Sequence, residues 1–276
     1  MLSILMTALS GCNSSSPVKT SSKKCPFFPE YPSENENYGK DFFIAHGGGG
    51  LDSYAYTNSV EAVEYSIKQG YRLIEIDLAV TTDGKIVGVH DWAHFNKITG
   101  YVDLGDKALS FKEVKSRKIH GSYTPITFIE IEKIFSSNPD LVLVTDKIND
   151  FQALTSTFSF LDRMVVEIFS LADYELAIKE GILHPMLSAG ENEFKGTFIK
   201  DKGVKMLAVH SGLLNKFPEL LQSFQQEGMC IFAFSSNEDD FIKKNLKGNK
   251  ATAFYTDFWD IKNGKCSQTK AECTTY

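Results

Sequence analysis

Apolar runs recur along this chain, with helical patterns between them. The first run, Phe43 to Ala45, is stopped by the glycines from Gly47 to Gly50, and the second extends from Arg72 to Val80. Short apolar runs bounded by such breakers predict strands. A turn and a short strand that ends at His90 come next. Six further strands are then predicted over Asp140 to Lys147, Arg163 to Phe169, Ile182 to Leu187, Lys205 to Val209, Met229 to Phe234 and Thr252 to Tyr255.

Helical spacing marks the segments between these strands. The first helix is predicted from about Ser59 to Gln69, with Asn58 and Glu61 forming a capping box at its start and Gly70 at its end. A second capping box is predicted at Ser110 and Glu113. The clearest later helices are predicted over Thr127 to Phe135, Leu171 to Lys179 and Pro218 to Gln226.

The alternation of strand and helix defines the predicted fold. When the short strand before His90 is left aside, eight strands alternate with helical segments, which favours a single-domain α/β fold, a (β/α)8 TIM barrel. A doubly wound open sheet is the alternative. The barrel is favoured because the residues with candidate chemistry lie at the carboxyl ends of strands, where barrel enzymes build their sites.

Length and composition agree with one such domain. The chain has 276 residues, of which 42% are hydrophobic and 23% are charged. Its net charge of −6 gives no support to a nucleic-acid partner, which would favour a basic face. We assign residues 39–262 to the barrel domain and residues 263–276 to a C-terminal tail.

The N-terminal residues predict export. Met1 to Gly11 is apolar, and Leu9 to Cys12 resembles a bacterial lipobox, in which the cysteine is lipidated. The segment lacks the basic region of a usual secretory signal, so a chance cysteine is the alternative. We predict a signal peptide over residues 1–12, a flexible tether over 13–38, and a membrane-anchored lipoprotein that faces the periplasm or the cell surface.

The other cysteines suggest one disulfide. We expect a Cys266 to Cys273 bridge in the polar tail and a buried thiol at Cys230, which lies in an apolar run. Cysteine ligation of a metal is not expected because the sequence has no C-x-x-C pair.

A pair of carboxylates points to a metal site. Glu75 and Asp77 lie two residues apart in a predicted strand, so both side chains face the same side. Two carboxylates on one face repel each other unless a cation lies between them, and oxygen ligands suit Mg²⁺ or Ca²⁺. The sequence therefore predicts a divalent cation here.

Five short motifs follow one another along the first third of the chain. They are His46-Gly47-Gly48-Gly49, Asn58-Ser59, Glu75-Ile76-Asp77, Asp83-Gly84 and His90-Asp91. In order and spacing they resemble the motifs of one known family, the glycerophosphodiester phosphodiesterases, within the phosphatidylinositol-phospholipase-C-like phosphodiesterases. The resemblance extends more weakly to Phe258, and it implies a TIM barrel with a small insertion after the second strand that shapes substrate access.

The resemblance also implies roles for individual residues. His46 and His90 are the expected general acid and base, for which an imidazole pKa near neutrality is suited. Asp146 is the expected third metal ligand beside Glu75 and Asp77. The resemblance implies that Lys147 contacts the phosphate. It implies a contact of Asn58 with the site, and the alternative is that Asn58 only caps its helix.

Two departures from the family pattern bear on the substrate. The family's third-strand acid and lysine lie two residues apart, whereas Asp146 and Lys147 are adjacent, so both reach the site only if the strand ends or bulges there. Gly47 replaces an arginine that contacts phosphate in the family. The backbone N–H groups of Gly47 to Gly50 are candidates for a substitute phosphate nest, and a merely flexible loop is the alternative.

Two more residues at strand ends are candidate substrate contacts. His210 ends the seventh predicted strand, where a surface or packing role is the alternative. Phe234 is a candidate for an apolar part of the pocket, with burial in the core as the alternative.

These observations predict a metal-dependent phosphodiesterase that hydrolyses glycerophosphodiesters or related lipid or glycan phosphodiesters. One alternative is a phospholipase-type or lyase-type enzyme that acts on intact lipid. The other is a surface lipoprotein that only binds a phosphorylated ligand, as the loss of the arginine at position 47 would allow.

Overall fold

Eight parallel strands close into a barrel in this computed structural model, which describes residues 25, 40–194 and 198–267. The sheet order is β1-β9-β8-β7-β6-β5-β4-β2, and β1 also pairs with β2, which closes the ring. β3 extends the sheet as an antiparallel partner of β2. The strands are β1 Phe43–Ala45, β2 Leu73–Val80, β3 Ile86–Gly88, β4 Val142–Asp146, β5 Met164–Ile168, β6 His184–Ser188, β7 Met206–His210, β8 Cys230–Phe234, β9 Ala253–Thr256, β10 Trp259–Asp260 and β11 Lys265–Cys266.

Helices follow the strands and cover the outside of the barrel. Their bounds are α1 Val60–Gln69, α2 Trp92–Ile98, α3 Phe111–Ser116, α4 Phe128–Ser137, α5 Phe151–Thr157, α6 Leu171–Lys179, α7 Glu191–Phe194, α8 Phe198–Asp201, α9 Leu213–Lys216, α10 Pro218–Gln226 and α11 Asp239–Lys247. Short 3₁₀ turns occupy Lys40–Phe42, His46–Gly48, Val102–Leu104 and Leu161–Arg163. The predicted (β/α)8 barrel is confirmed, and the closing β1–β2 pair rules out an open sheet.

Alternation along the strands builds two apolar cores. Leu73 of β2 packs inside the barrel with Val142 of β4 and Phe232 of β8, whereas their neighbours Ile74 and Leu143 pack outward under the helices. Successive side chains of a strand point to opposite faces, so strands buried on both faces read as continuous apolar runs. This explains why the apolar runs in the sequence predicted the positions of the strands.

The predicted insertion after the second strand has a small core of its own. The segment that carries α2 and α3 buries Phe95, Leu109 and Val114 against Val87 and Val89, which lie on and just after β3. The Ser110–Glu113 capping box starts α3 as predicted. The insertion therefore packs as a small unit beside the carboxyl end of β2.

The start of α1 differs from the prediction. Ser59, rather than Asn58, is the N-cap residue, because its hydroxyl accepts a hydrogen bond from the Ala62 N–H at 3.2 Å. The Glu61 carboxylate accepts hydrogen bonds from Thr124 instead of closing a capping box. The Asn58 side chain is thus used elsewhere.

The cysteine prediction was wrong for Cys230. Its sulfur is bonded to Cys25, with a Cα–Cα distance of 5.5 Å, and Cys25 packs against the core inside the barrel. Cys266 is also disulfide-bonded, and its predicted partner Cys273 lies outside the described residues. The apolar run around Cys230 predicted burial correctly, but it carried no information on the pairing.

The predicted signal peptide, lipobox and lipidated Cys12 lie outside the described residues, as does the tether except for Cys25. The described part of the C-terminal tail, residues 263–267, includes β11, which pairs antiparallel with β10. Within the described ranges, no helix is both long enough and apolar enough to cross a membrane.

Candidate active site

The carboxyl ends of the parallel strands bring three acidic residues together. Ligand oxygens of Glu75, Asp77 and Asp146 all lie within 4.8 Å of one another. Asp77 and Asp146 are direct partners in the register of β2 and β4, and strand alternation places Glu75 on the same face of β2. The three side chains are buried. The structure thus places the three predicted metal ligands in one cluster.

It is electrostatically unfavourable for all three carboxylates of this cluster to be ionised without a cation. Burial raises the pKa of Glu75 well above its usual range, and the charges of Asp77 and Asp146 raise it further. Burial and the Asp77 charge raise the pKa of Asp146 to about 8, although Lys147 opposes the shift. Within the described chain, the buried Oδ1 of Asp146 has no hydrogen-bond partner. Oxygen donors, excess negative charge and an unsatisfied buried oxygen fit a hard divalent cation.

Asn58 supports this cluster from the side. Its Nδ2 donates to Oδ2 of Asp77 at 2.8 Å, and its Oδ1 accepts from the Asp77 backbone N–H at 3.0 Å. This reciprocal pair fixes the orientation of the Asp77 carboxylate. Asn58, predicted as a substrate contact or a cap, instead lies beside an acid of the cluster.

His46 follows β1 and faces the acidic cluster. Its Nδ1 lies 3.1 Å from Oδ1 of Asp257, which in turn accepts a hydrogen bond from Asn237. Burial lowers the pKa of His46, but the hydrogen bond to Asp257 and the charges of Asp257, Asp77 and Asp146 outweigh that effect, so the net shift is upward. With Nδ1 bonded to a carboxylate, Nε2 is the atom that can exchange a proton with a ligand.

His90 lies two residues after β3 and has a similar partner. Its Nδ1 is 2.6 Å from Oδ2 of Asp91, and the other oxygen of Asp91 caps α2 by accepting from the His94 N–H. The side chain of His90 is 30% exposed, against 15% for His46. The two imidazoles therefore differ in access, and each has its orientation fixed by a carboxylate.

The glycine loop uses most of its N–H groups internally. Gly47 donates to Oε2 of Glu75 at 2.5 Å, Gly49 to the His46 carbonyl and Gly50 to the Asp257 carbonyl. Three of the four N–H groups of the predicted phosphate nest thus have other partners. Instead of a nest, the loop ties β1 to the cluster and to Asp257.

Lys147 reaches the mouth of the barrel because β4 ends one residue earlier. Its backbone has φ of 63°, which turns the side chain back toward the site, and Nζ lies 3.1 Å from Oδ2 of Asp146. Nζ also lies 5.1 Å from the centre of the Phe169 ring. The adjacent Asp146 and Lys147 are therefore brought together at the end of the strand.

The two remaining candidates lie on the opposite wall. Phe234 is half-buried between Tyr255, 6.3 Å away by ring centres, and His210, 5.9 Å away. Tyr255 in turn contacts His46 edge to face at 6.0 Å. His210 is exposed at the end of β7, so two aromatic rings separate it from His46.

Several residues of the site were not assigned a role from the sequence. Asp257 follows a predicted strand within the weaker part of the family resemblance, and Glu167 is a charged residue inside an apolar run, so both carried a signal. Burial raises the pKa of Glu167 to about 7. Tyr255 looked like one more buried strand aromatic. Tyr56 lies outside any helix or strand, where periodicity says nothing.

Tyr56 has a central position. Its ring centre lies 4.4 Å from that of His46 and 4.9 Å from that of His90, and its hydroxyl donates to Oδ1 of Asp77 at 3.1 Å. Burial and the charges of Asp77, Glu75 and Asp146 raise its pKa, so the phenol stays neutral and remains a hydrogen-bond donor.

A groove of about 470 Å³ opens beside the two more exposed residues, His90 and Lys147. Its other walls include Trp92 from the insertion and Ile148 and Asp150 from the loop after β4. The insertion therefore forms part of the wall of the groove beside His90 and Lys147.

Comparison with protein families gives a match over the N-terminal half of the barrel. Residues 48–169 match the glycerophosphoryl diester phosphodiesterase family. This segment includes Glu75, Asp77, His90 and Asp146, and it begins two residues after His46. Comparison with curated proteins gives no match.

Solved structures with similar folds cover most of the chain. A glycerophosphodiester phosphodiesterase from Thermotoga maritima has 18% identity and a TM-score of 0.64, over 80% of this chain and 96% of that one. A phosphodiesterase from Oleispira antarctica, solved with the product sn-glycerol-3-phosphate, has 17% identity and a TM-score of 0.61, over 80% and 94%. A protein from Galdieria sulphuraria described as a glycerophosphodiester phosphodiesterase has 15% identity and a TM-score of 0.67, over 80% and 96%. These likenesses support the barrel fold.

Proposed function

Because this chain belongs to the glycerophosphoryl diester phosphodiesterase family, matched over residues 48–169, we propose that it is a metal-dependent hydrolase of glycerophosphodiesters or related phosphodiesters. One observation carries the proposal. Two imidazoles with carboxylate partners, His46 and His90, border a buried cluster of three acids at the barrel mouth. Hydrolysis of a phosphodiester needs a base for the attacking hydroxyl, an acid for the leaving alkoxide and positive charge near the phosphoryl oxygens.

The two histidines supply the proton transfers. One imidazole accepts a proton through Nε2 from the attacking water or substrate hydroxyl, and the other donates a proton from Nε2 to the leaving alkoxide. One P–O bond forms and one breaks, so the products are a phosphomonoester and an alcohol. If a neighbouring hydroxyl of the substrate attacks first, a cyclic phosphate forms, and water opens it in a second step. Asp257 and Asp91 keep the imidazoles in the Nδ1–H tautomer during these transfers.

Glu75, Asp77 and Asp146 are the residues that would hold the cation, either Mg²⁺ or Ca²⁺. When bound there, such a cation polarises the phosphoryl oxygens and lowers the pKa of the attacking hydroxyl. Asn58 and the Gly47 N–H keep two of the three carboxylates oriented. Lys147, beside Asp146, provides a fixed positive charge for the phosphate.

The groove beside His90 supports a substrate with two substituents on phosphorus. A diester that places its phosphate beside the imidazoles and the acidic cluster can direct one substituent along Trp92 and Ile148. The Oleispira antarctica phosphodiesterase of the same fold holds sn-glycerol-3-phosphate, which supports glycerol phosphate as one product here.

We also propose that the protein is exported and anchored through a lipidated Cys12. The Cys25–Cys230 disulfide supports an oxidising compartment, since such bonds are rare in the cytosol. The Ser- and Lys-containing segment after Cys12 has the composition of a tether. Metabolic labelling with a radioactive fatty acid in a bacterial host, with Cys12→Ala as control, tests the anchor; labelling that persists in Cys12→Ala would contradict it.

Hydrolysis assays test the reaction. The protein is given bis-p-nitrophenyl phosphate and then glycerophosphocholine, with and without EDTA, alongside His46→Ala and His90→Ala. We expect activity that EDTA abolishes, that added Mg²⁺ or Ca²⁺ restores, and that each substitution lowers by about 100-fold or more. His184→Ala is the matched control, because His184 lies at the start of β6, at the opposite end of the barrel.

The outcomes separate the alternatives. Phosphorus NMR that shows a cyclic phosphate as the final product would favour the lyase-type enzyme, and activity confined to intact phospholipid would favour the phospholipase type. A folded protein that binds a cation and the diester but turns over neither substrate would contradict the hydrolase and favour the ligand-binding lipoprotein.

A further inference from the structure

A short segment crosses the mouth of the barrel next to the acidic cluster. We call it the strap, and it consists of Tyr56, Thr57 and Asn58. Tyr56 has φ of 63° and Asn58 has φ of 49°, so both residues have left-handed backbone. Asparagine tolerates this conformation, but for a bulky residue such as tyrosine it is unusual and has to be held in place by contacts. Strained backbone of this kind clusters at functional sites.

The strap holds both carboxylate oxygens of Asp77. The Tyr56 hydroxyl donates to Oδ1 at 3.1 Å, and the Asn58 amide donates to Oδ2 at 2.8 Å. Each carboxylate oxygen has two lone-pair sites, so one site on each oxygen is left for a cation. Hydrogen bonds that orient a ligating carboxylate are part of a metal site, and losing one typically weakens metal binding or activity 10- to 100-fold.

The Tyr56 ring also contacts both histidines. Its centre lies 4.4 Å from His46 and 4.9 Å from His90, with interplanar angles of 45° and 59°. The ring therefore packs against both imidazoles and limits how closely they approach each other. One side chain thus contacts the two proposed proton-transfer residues and one proposed cation ligand.

The path of the strap depends on the missing side chain at position 47. A Cβ added to Gly47 would lie 2.6 Å from Cδ2 and 2.7 Å from Cα of Tyr56. Since Cα belongs to the backbone, rotating the tyrosine side chain cannot relieve the clash. The Gly47 carbonyl also accepts the Asn58 N–H at 2.8 Å, which ties the strap to the glycine loop.

We propose that Tyr56 is a positioning residue of this site. Its hydroxyl orients the Asp77 carboxylate for cation binding, and its ring sets the spacing of His46 and His90. Both contacts require glycine at position 47, because a side chain there would displace Tyr56. The inference rests on the proposed function, because it assigns Tyr56 to that same site. It also accounts for the glycine at position 47, which makes room for a tyrosine between the two histidines.

Tyr56→Phe separates the two parts of the proposal, since it removes the hydroxyl and keeps the ring. In calorimetric titrations without substrate, we expect Mg²⁺ and Ca²⁺ affinity to fall by about tenfold, with an unfolding midpoint close to that of the wild type. With bis-p-nitrophenyl phosphate, we expect the half-saturating cation concentration to rise by the same factor and kcat to recover when the cation is saturating. A merely structural defect would not be rescued by more cation. Tyr65→Phe, on the outer face of α1, is the matched control.

Tyr56→Ala removes the ring as well, and we expect saturating cation to leave kcat at least tenfold below that of Tyr56→Phe. Tyr56→Phe that binds both cations as tightly as the wild type would overturn the inference on the hydroxyl, and Tyr56→Ala with the kcat of Tyr56→Phe would overturn it on the ring. Wild-type protein that binds neither cation would overturn the metal-dependent function and this inference together, whereas the first two results leave the proposed function standing.

Gly47→Ala tests the dependence on position 47. Its control is Gly84→Ala, since Gly84 also has positive φ but a Cβ there would meet no atom within 4 Å. Both variants carry the backbone penalty of a non-glycine residue, and only Gly47→Ala displaces the strap. We expect cation affinity to fall by about tenfold or more in Gly47→Ala alone; equal affinity in the two variants would contradict the coupling.

Discussion

The imidazole of His46 is joined through Nδ1 to Oδ1 of Asp257, 3.1 Å away, although 211 positions separate the two residues in the chain. They meet because β1 and β9 are neighbours in the closed barrel, and His46 and Asp257 each follow the last residue of their strand. Asn237 holds the second oxygen of Asp257 at 2.6 Å and accepts its N–H at 2.8 Å. Closure of the barrel thus completes the histidine site.

Asp257→Asn should lower the pKa of His46. Burial alone lowers that pKa, and the hydrogen bond and charge of Asp257 are the main causes that raise it, so their loss shifts the titration of His46 to lower pH. The limb of the pH–kcat/KM profile that belongs to His46 should therefore move to lower pH, on the acid side if His46 is the base and on the alkaline side if it is the acid. NMR titration of the His46 ring, together with the rate profile, checks this expectation.

Asp240→Asn is the matched control, because Asp240 is exposed on α11. It should leave both the profile and the His46 titration unchanged. If Asp257→Asn left the His46 titration in place, the hydrogen bond would not be what raises its pKa. The limb of the profile that moves, acid or alkaline, would also assign the acid and base roles, which the symmetry of the two imidazole–carboxylate pairs leaves open.

Cation binding should depend steeply on pH. Burial and the Asp77 charge raise the pKa of Asp146 to about 8, so a cation that binds below this pH has to displace a proton from it. Affinity for Mg²⁺ should therefore be about 10- to 100-fold weaker at pH 6 than at pH 9. Calorimetric titration at both pH values, in buffers of different ionisation enthalpy, measures the affinity and the released protons together.

Asp146→Asn provides the comparison, since it removes the titrating group and should give weak binding that varies less with pH. Wild-type affinity that is equal at pH 6 and pH 9 would mean that the carboxylates are already ionised before the cation arrives.

The fold was largely predictable from the sequence because strands buried on both faces leave continuous apolar runs. Each of the eight barrel strands overlaps a predicted run, and β6, β7 and β9 extend one residue beyond it. The two acids of β2 were found because they interrupt such a run, whereas Asp146 of β4 was assigned from the family resemblance. Glu167 has the same signature in β5, and a search for charged residues in apolar strands would have included it.

The features that the sequence did not predict depend on contacts between residues distant in sequence or on irregular backbone. The apolar run around Cys230 predicts burial, but only the folded chain shows that Cys25 enters the barrel beside it. The Asn58–Glu61 spacing matches a capping box, but the Asn58 side chain is hydrogen-bonded to Asp77 instead. Ser59 therefore serves as the cap. Tyr56 reaches the site through left-handed backbone that no periodic pattern describes.

Lys147→Gln should weaken substrate binding more than it affects folding. The Lys147 side chain is one-third exposed at the barrel mouth and its contact with Asp146 is partly solvated, so little stability depends on that contact. Loss of a charge-assisted contact with phosphate should raise KM for bis-p-nitrophenyl phosphate roughly tenfold, with a smaller change in kcat. Lys202→Gln, which removes an exposed ion pair with Glu175, is the control for loss of a surface charge. Unchanged KM in Lys147→Gln would remove this residue from the substrate site.

The Cys25–Cys230 bond should stabilise the barrel without taking part in the chemistry. It joins residues 205 positions apart and lies in the core inside the barrel, which is distinct from the acidic cluster. Breaking a bond that closes so long a loop should lower the free energy of unfolding by about 2–5 kcal/mol. Cys25→Ala and Cys230→Ala should both show this loss in thermal unfolding, with kcat at 25 °C close to the wild-type value.

The double variant gives the sharper test, because either single substitution already opens the same bond. The double variant Cys25→Ala/Cys230→Ala should therefore be about as stable as the less stable of the two single variants. Any further loss should not exceed the small packing cost of the second alanine. Reduction by dithiothreitol should lower the unfolding midpoint of the wild type by more than that of the double variant, which keeps the disulfide of Cys266. Strictly additive losses in the two single variants would show that each cysteine stabilises the barrel by packing, and that the covalent bond contributes little.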